Sequence, residues 1–441
     1  MAFCARSMRF GIAAFVASLV AAPAARADLF DYVKKADESY SWKLKSKVEN
    51  GDGTVYTLQL VSQTWQNIKW EHDLVVFLPK GVKPGSKMVL YNQGGKSSPI
   101  AEVIGMDMAR RIQAPVAFLF GIPNQPLLGG KTEDALIAET FVRYLETKDP
   151  SWPLLFPMVK SLVKAMDALQ EFARKEWGVR IEGFIVTGGS KRGWTSWLTA
   201  AADSRVIAIV PMVIDTLNMP EQLPHQLKSY GRYSDQIADY TKRGLVPPPD
   251  TAEARKLWGW VDPWNYRAKL TVPTMIINGA NDPYWTVDSL NLYWDGLKCD
   301  KWVLYVPNAG HDLQQKQADG KKDRDRAVNG LVAFCKHVIK ENPMPKLTWK
   351  HDDSDGKARL TVSTDVKAAG ARLWVAHAKT RDFRPATWEE VPIDLKDGRA
   401  VGFVELPKDG YTAVFAELDF AIDDVRHHLS TQVRVLQANG R

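Results

Sequence analysis

Between about residue 54 and residue 342 the chain alternates short apolar runs with longer amphipathic stretches. The runs are 74–78 (LVVFL), 88–91 (MVLY), 116–120 (VAFLF), 184–186 (FIV), 206–213 (VIAIVPMV), 275–277 (MII) and 302–306 (WVLYV). They are short and rich in β-branched or aromatic residues. Most stop at turn formers such as Pro79, Gly94-Gly95, Gly121, Gly188-Gly189 and Asn278-Gly279. Strands buried on both faces look this way, because no solvent side imposes a polar alternation. Between them, Ile137, Phe141 and Leu145 recur every four residues after Thr132, Glu133 and Asp134. That pattern predicts a helix from Glu133 to Leu145, capped by Thr132 and begun with charges that suit its positive end. A second helix is predicted from about Met158 to Trp177. Strands separated by helices predict a mostly parallel sheet covered by crossover helices, the α/β class.

Two stretches break this rhythm. From about 215 to 270 the chain carries Pro220, Pro224 and Pro247-Pro248-Pro249 among Tyr230, Tyr233, Tyr240, Trp258, Trp260 and Trp264. We read it as an insertion over the strand ends, where aromatic residues either shape a pocket or pack the lid onto its own core. After Pro343 and Pro345 the pattern changes to alternating segments at 358–362, 371–375, 402–406 and 411–415. Several short strands at this spacing predict an antiparallel β-sandwich of the immunoglobulin or fibronectin kind over 346–441.

Residues 1–27 read as a signal peptide, with Arg6 and Arg9 in the n-region, an apolar h-region from Phe10 to Ala22, and cleavage expected after Ala25-Arg26-Ala27. The domains expected are therefore a signal peptide over 1–27, a hydrolase-like domain over 28–342 and a sandwich over 346–441, in a periplasmic or secreted protein. No later segment is long and apolar enough to span a membrane. The formal net charge of +7 falls by three with Arg6, Arg9 and Arg26. The remaining Lys and Arg are spread along the chain, which disfavours nucleic acid as a partner. Cys299 and Cys335 either pair or sit as two buried thiols, and neither has a catalytic setting.

Candidate chemistry gathers at strand ends. The segment 186–194 (VTGGSKRGW) runs from an apolar strand through small residues into a helix, with Ser190 at its apex. A turn of this kind is tight, needs small neighbours, and exposes a nucleophile at the C-terminal edge of the sheet. Against the G-x-S-x-G pattern, Arg192 stands two after the serine and Gly193 arrives one residue late. Asp282 follows the 275–277 strand and His311 follows the 302–306 strand, so the chain order is Ser, Asp, His, as in α/β-hydrolases. In that arrangement His311 is the base and Asp282 its orienting acid. Asp288 and Asp262 are less favoured for the acid, since neither directly follows a strand. The backbone amides of Lys191 and Gly95 are the expected oxyanion donors. Arg192 and Trp285 are candidate substrate contacts, and Lys191 or Arg192 could recognise an anion. Alternatively, one of these cations pairs with a buried acid such as Asp203 or Asp215. The eight histidines are scattered, with no H-E-x-x-H and no phosphate-binding glycine loop, so no metal or other cofactor is expected.

Segments 62–65 (SQTW), 152–153 (WP), 157–160 (PMVK), 165–167 (AMD), 189–194 (GSKRGW), 262–263 (DP), 307–311 (PNAGH) and 381–384 (RDFR) resemble the PhoPQ-activated pathogenicity-related family. The resemblance covers nearly all of the chain after residue 27. It implies an exported α/β-hydrolase-like protein with a C-terminal β-sandwich, in a family linked to bacterial virulence. It makes peptide hydrolysis a candidate and leaves esters open. Three expectations follow: a serine hydrolase acting on a peptide or ester bond; a secreted binding or signalling protein that keeps the fold without turnover; and a carbohydrate-directed esterase whose sandwich binds glycan.

Overall fold

A computed structural model describes residues 28–317, 319–354 and 356–438. The expected signal peptide lies outside the described residues. The chain forms a mixed sheet in the order β1-β2-β3-β5-β4-β6-β7-β8-β9. These strands are β1 (Ser41–Glu49), β2 (Gly53–Trp65), β3 (Ile68–Pro79), β4 (Lys87–Asn92), β5 (Val116–Leu119), β6 (Gly183–Gly189), β7 (Val206–Met212), β8 (Thr274–Gly279) and β9 (Lys301–Val306). From β5 to β9 all neighbours are parallel. The first three strands form an antiparallel meander that joins the sheet where β3 meets β5. This mixed order, with helices on both faces, is the α/β-hydrolase arrangement.

The strands of the parallel block are almost wholly buried, which is why their sequence shows no alternation. Helices Leu155–Trp177 and Lys191–Ala202 cover one face, through Phe172, Leu169, Trp197 and Leu198. Helices Pro99–Ile112 and Asp325–Lys340 cover the other, through Met108, Ile112, Leu331 and Phe334. The predicted helix after Thr132 runs from Glu133 to Thr147. Its first amide is capped differently from expectation. Thr132 makes no side-chain cap bond, and the amide of Glu133 donates instead to the side-chain oxygen of Gln125 at 2.8 Å.

The C-terminal strands form two antiparallel sheets. Strands Leu347–Ser354, Lys357–Thr364, Arg399–Glu405 and Leu395–Lys396 make one. Strands Val425–Ser430, Tyr411–Ile422, Gly370–Ala378, Trp388–Pro392 and Arg434–Gln437 make the other. Leu360 and Val362 of the first share a core with Leu373 and Val375 of the second. The second sheet continues the hydrolase sheet edge to edge, because Ser430 pairs with Val303 of β9 and its hydroxyl accepts from the amide of Tyr305 at 3.1 Å. Joining the edges in this way shields β9 from pairing with another chain. Cys299 and Cys335 are buried and unpaired.

Candidate active site

The turn after β6 sets the backbone geometry of Ser190. Ser190 has φ 56° and ψ −126° and immediately precedes the helix Lys191–Ala202. Left-handed φ is costly for a residue with a Cβ and is tolerated where the surroundings enforce it. Two glycines do so here. A Cβ at Gly188 would stand 2.6 Å from the Cβ of Arg192, and one at Gly193 would stand 2.9 Å from the carbonyl oxygen of Gly188 and 2.6 Å from Ile214. The glycine that arrives one position late in the motif therefore lets the helix lie against the end of the strand. The amide of Lys191 opens the helix, where the first N–H groups have no intrahelical partner and the dipole favours negative charge.

The other two predicted residues meet for a similar reason. A Cβ on Gly279 would lie 2.3 Å from the carbonyl oxygen of Gly310, so the loops after β8 and β9 are in backbone contact. That contact is reinforced by the amide of Asn281, which donates to the carbonyl of Ala309 at 3.0 Å. Asp282 Oδ2 then stands 2.8 Å from His311 Nδ1, and Asp282 Oδ1 accepts from the amide of Tyr284 at 2.8 Å. The Tyr284 ring stacks on the imidazole, with centroids 4.2 Å apart. His311 Nε2 is buried and has no hydrogen-bond partner. Both loops are also pinned to the C-terminal part. The Asn281 side chain donates to the carbonyls of Phe383, Arg384 and Ala386 at 2.7–3.2 Å, and Asn308 exchanges two hydrogen bonds with the backbone of Trp388.

Ser190, Lys191, Trp285 and His311 line one pocket enclosing about 510 Å³ of empty space, its open mouth included. Much of its wall comes from the 215–270 segment, through Thr216, Met219, Ile237, Tyr240, Val246 and Trp258. Asp282 lies behind His311. Gly95 does not line the pocket; it is exposed, and its carbonyl accepts from the amide of Gly121 at 2.9 Å. The less favoured acids are committed elsewhere. Asp262 accepts from the amides of Asn218, Met219 and Trp264, while Asp288 pairs with His225 and Arg381.

Arg192, expected among the substrate contacts, does not line the pocket. Its guanidinium is buried against Gly94, where a Cβ would collide with it, and makes two 2.6 Å bonds to Glu133 and one to the carbonyl of Ile122. The partner acid is thus neither Asp203, which pairs with Arg205, nor Asp215, which accepts from Tyr293 and Asn278. Burial alone would raise the Glu133 carboxyl, but the Arg192 bonds outweigh it and hold the group at about 2. Lys191 does reach the pocket, with its ammonium 2.6 Å from Asp134. Asp134 also accepts from the hydroxyls of Tyr240 and Tyr284. Asp134 and Tyr284 were not among the predicted site residues, and Tyr240 was expected only as one of the insertion aromatics that either shape a pocket or pack the lid. For Asp134 the cue in the sequence was the acidic pair opening a helix, which reads equally well as a complement to the helix dipole.

Glu417, Asp419 and His428 are the one grouping with metal-ligand spacing among the described residues. Arg372 bonds both carboxylates and Arg326 bonds Glu417, so cationic side chains already neutralise the cluster. It is an ion-pair network that ties the C-terminal sheet to the helix Asp325–Lys340.

The model of the family described as PhoPQ-activated pathogenicity-related protein matches residues 29–384. The chain belongs to that family. Its PhoPQ-related sequence is also 34% identical over 402 residues to the autocrine proliferation repressor protein A of Dictyostelium discoideum, spanning 85% of this chain and 78% of that one. Among solved structures, an acetyl xylan esterase from Paenibacillus sp. R4 matches 64% of this chain and 85% of its own, at 15% identity and a TM-score of 0.46. Acetyl xylan esterase 1 from Thermoanaerobacterium sp. JW/SL YS485 matches 64% and 86%, at 17% identity and a TM-score of 0.47. By its own strand order this PhoPQ-related chain has an α/β-hydrolase fold with added antiparallel strands at its C-terminus. Among the described residues no helix is long and apolar enough to cross a membrane.

Proposed function

We propose that the protein is an exported serine hydrolase that cleaves a peptide or ester bond through an acyl-enzyme on Ser190. The observation that carries this reading is the state of His311. Its Nδ1 is held by a buried carboxylate, while its Nε2 is buried, unpartnered, and belongs to a residue that shares a pocket with Ser190. His337 and His427 also have buried ring nitrogens without partners, so it is the pocket shared with Ser190 that marks His311 Nε2 as the atom to accept the proton.

In this mechanism the Ser190 hydroxyl attacks the carbonyl carbon as its proton passes to His311 Nε2. Asp282 keeps the imidazole in the tautomer with hydrogen on Nδ1 and stabilises the imidazolium. The amide of Lys191 donates to the oxyanion at the positive end of its helix; Gly95, which lies outside the pocket, is not assigned as the second donor. His311 then gives its proton to the leaving alkoxide or amine. Water, activated by the same nitrogen, releases the acid product. No metal or other cofactor takes part in these steps. Trp285 forms part of the substrate wall. Export rests on the n-region, h-region and cleavage pattern of residues 1–27.

The test is turnover of p-nitrophenyl esters and peptidyl p-nitroanilides by the chain beginning at Asp28. Hydrolysis that disappears in Ser190→Ala and in His311→Ala supports the reading. Hydrolysis that persists in Ser190→Ala contradicts it.

A further inference from the structure

Apart from Ser190, His311 and the Thr216 hydroxyl, the pocket beside Ser190 has a wall that is aromatic and aliphatic except where one charged pair stands. There Lys191 and Asp134 face each other, their side chains only 10% and 13% exposed, with the ammonium 2.6 Å from Oδ2. Lys191 has little other compensation. Glu133 Oε2 is 3.7 Å away but is already engaged by Arg192, and the Tyr284 ring lies 5.5 Å beneath the ammonium. Asp134, by contrast, is saturated. Besides Lys191 it accepts from Tyr240 on the lid at 3.0 Å and from Tyr284 on the acid loop at 3.3 Å. Charges are weakly screened in such a setting, and removing one member of the pair would leave the other exposed to whatever enters.

We propose that Asp134 is a specificity-determining residue, which neutralises Lys191 at the pocket wall and thereby restricts the pocket to uncharged groups. On the serine-hydrolase reading the group concerned is a compact, apolar acyl portion of the substrate. The preference itself rests on the pocket alone. A carboxylate entering the native pocket loses its hydration and meets an ammonium already paired with Asp134. In Asp134→Asn the amide oxygen still accepts from a tyrosine hydroxyl, but the ammonium is left with unmatched charge.

The experiment separates binding from turnover. In a Ser190→Ala background at pH 8, benzyl alcohol and benzoate are titrated calorimetrically into the chain with and without Asp134→Asn. With Asp134 in place, the alcohol binds more tightly than the carboxylate. Asp134→Asn shifts the ratio toward benzoate by about tenfold or more, the scale of an exposed desolvated charge. Adding Lys191→Met abolishes that gain. Thermal unfolding of each variant verifies that it is folded. An unchanged ratio in folded Asp134→Asn overturns the proposal, as does a preference for benzoate with Asp134 present or failure of both ligands to bind. In the Ser190-containing chain, the same shift is expected between p-nitrophenyl butyrate and p-nitrophenyl hemisuccinate. Absence of turnover with the binding preference intact would count against the hydrolase reading and leave this one standing.

Discussion

Tyr284 contacts Asp282 and His311 together: its amide donates to Asp282 Oδ1 at 2.8 Å, and its ring lies on the His311 imidazole with planes inclined by 32°. The backbone bond survives any side-chain substitution, but the stack does not. Aromatic contacts of this kind contribute about 0.5–1.5 kcal/mol, so Tyr284→Ala is expected to lower kcat by roughly 3- to 10-fold. Tyr284→Phe keeps the stack and loses only the hydroxyl bond to Asp134. Its kcat on an uncharged ester is expected to stay close to wild type. Equal losses in the two variants would show that the ring does not position the base.

The acid assignment has its own test. Asp282→Asn is expected to reduce kcat by about 10⁴-fold, since the amide would favour the wrong imidazole tautomer. Asp288→Asn disturbs only the bonds to His225 and Arg381, and should leave kcat within a small factor. A large loss in Asp288→Asn with activity retained in Asp282→Asn would reverse the assignment.

Glu133 is needed to keep Arg192 buried. Removing one member of a fully buried pair typically costs about 3–5 kcal/mol, and solvent screening of the part-exposed Glu133 side chain brings Glu133→Gln down to about 1–2 kcal/mol in urea unfolding. The pH dependence gives a second check. The folded carboxyl is held at about 2, below its ordinary value, so its stabilisation is present above the usual carboxylate range and is lost as pH falls toward 2. Glu133→Gln should flatten that part of the acid limb.

Asp215 acts with the opposite sign. Burial pushes its carboxyl up to about 6, with the Asp282 charge adding to the rise and bonds from Tyr293 and Asn278 opposing it. The folded state therefore binds this proton more tightly than the unfolded chain does. The contribution is full below the unfolded value near 3.8 and is lost as pH rises through about 6. Between pH 5 and pH 8 the loss should be about 1 kcal/mol, and Asp215→Asn should remove it from the stability profile measured by denaturant unfolding. Asp262, also raised to about 6 by burial, contributes the same sign and stays in both proteins.

What was legible in the sequence was whatever a single strand or turn encodes. The runs at 116–120, 184–186 and 275–277 stood out because both faces of those strands are buried, and Ser190, Asp282 and His311 stood out because each follows such a run. The pairings made over distance could not be read. Arg192 reaches Glu133 across 59 positions, Lys191 reaches Asp134, and Gln125 takes the capping place assigned to Thr132. Each depends on which loops the sheet brings together, and the local pattern around Glu133 and Asp134 was already satisfied by a helix start. The edge-to-edge union of β9 with Val425–Ser430 was hidden for the same reason. It rests on one register pair and a serine hydroxyl, neither of which leaves a mark in the hydrophobic pattern.

The central claim is that Ser190 is an activated nucleophile, and labelling with a fluorophosphonate probe tests it most directly. The folded chain beginning at Asp28 should be labelled, and Ser190→Ala and His311→Ala should not. A correctly folded wild-type chain that takes up no probe, or a Ser190→Ala chain that labels as well as wild type, would contradict it.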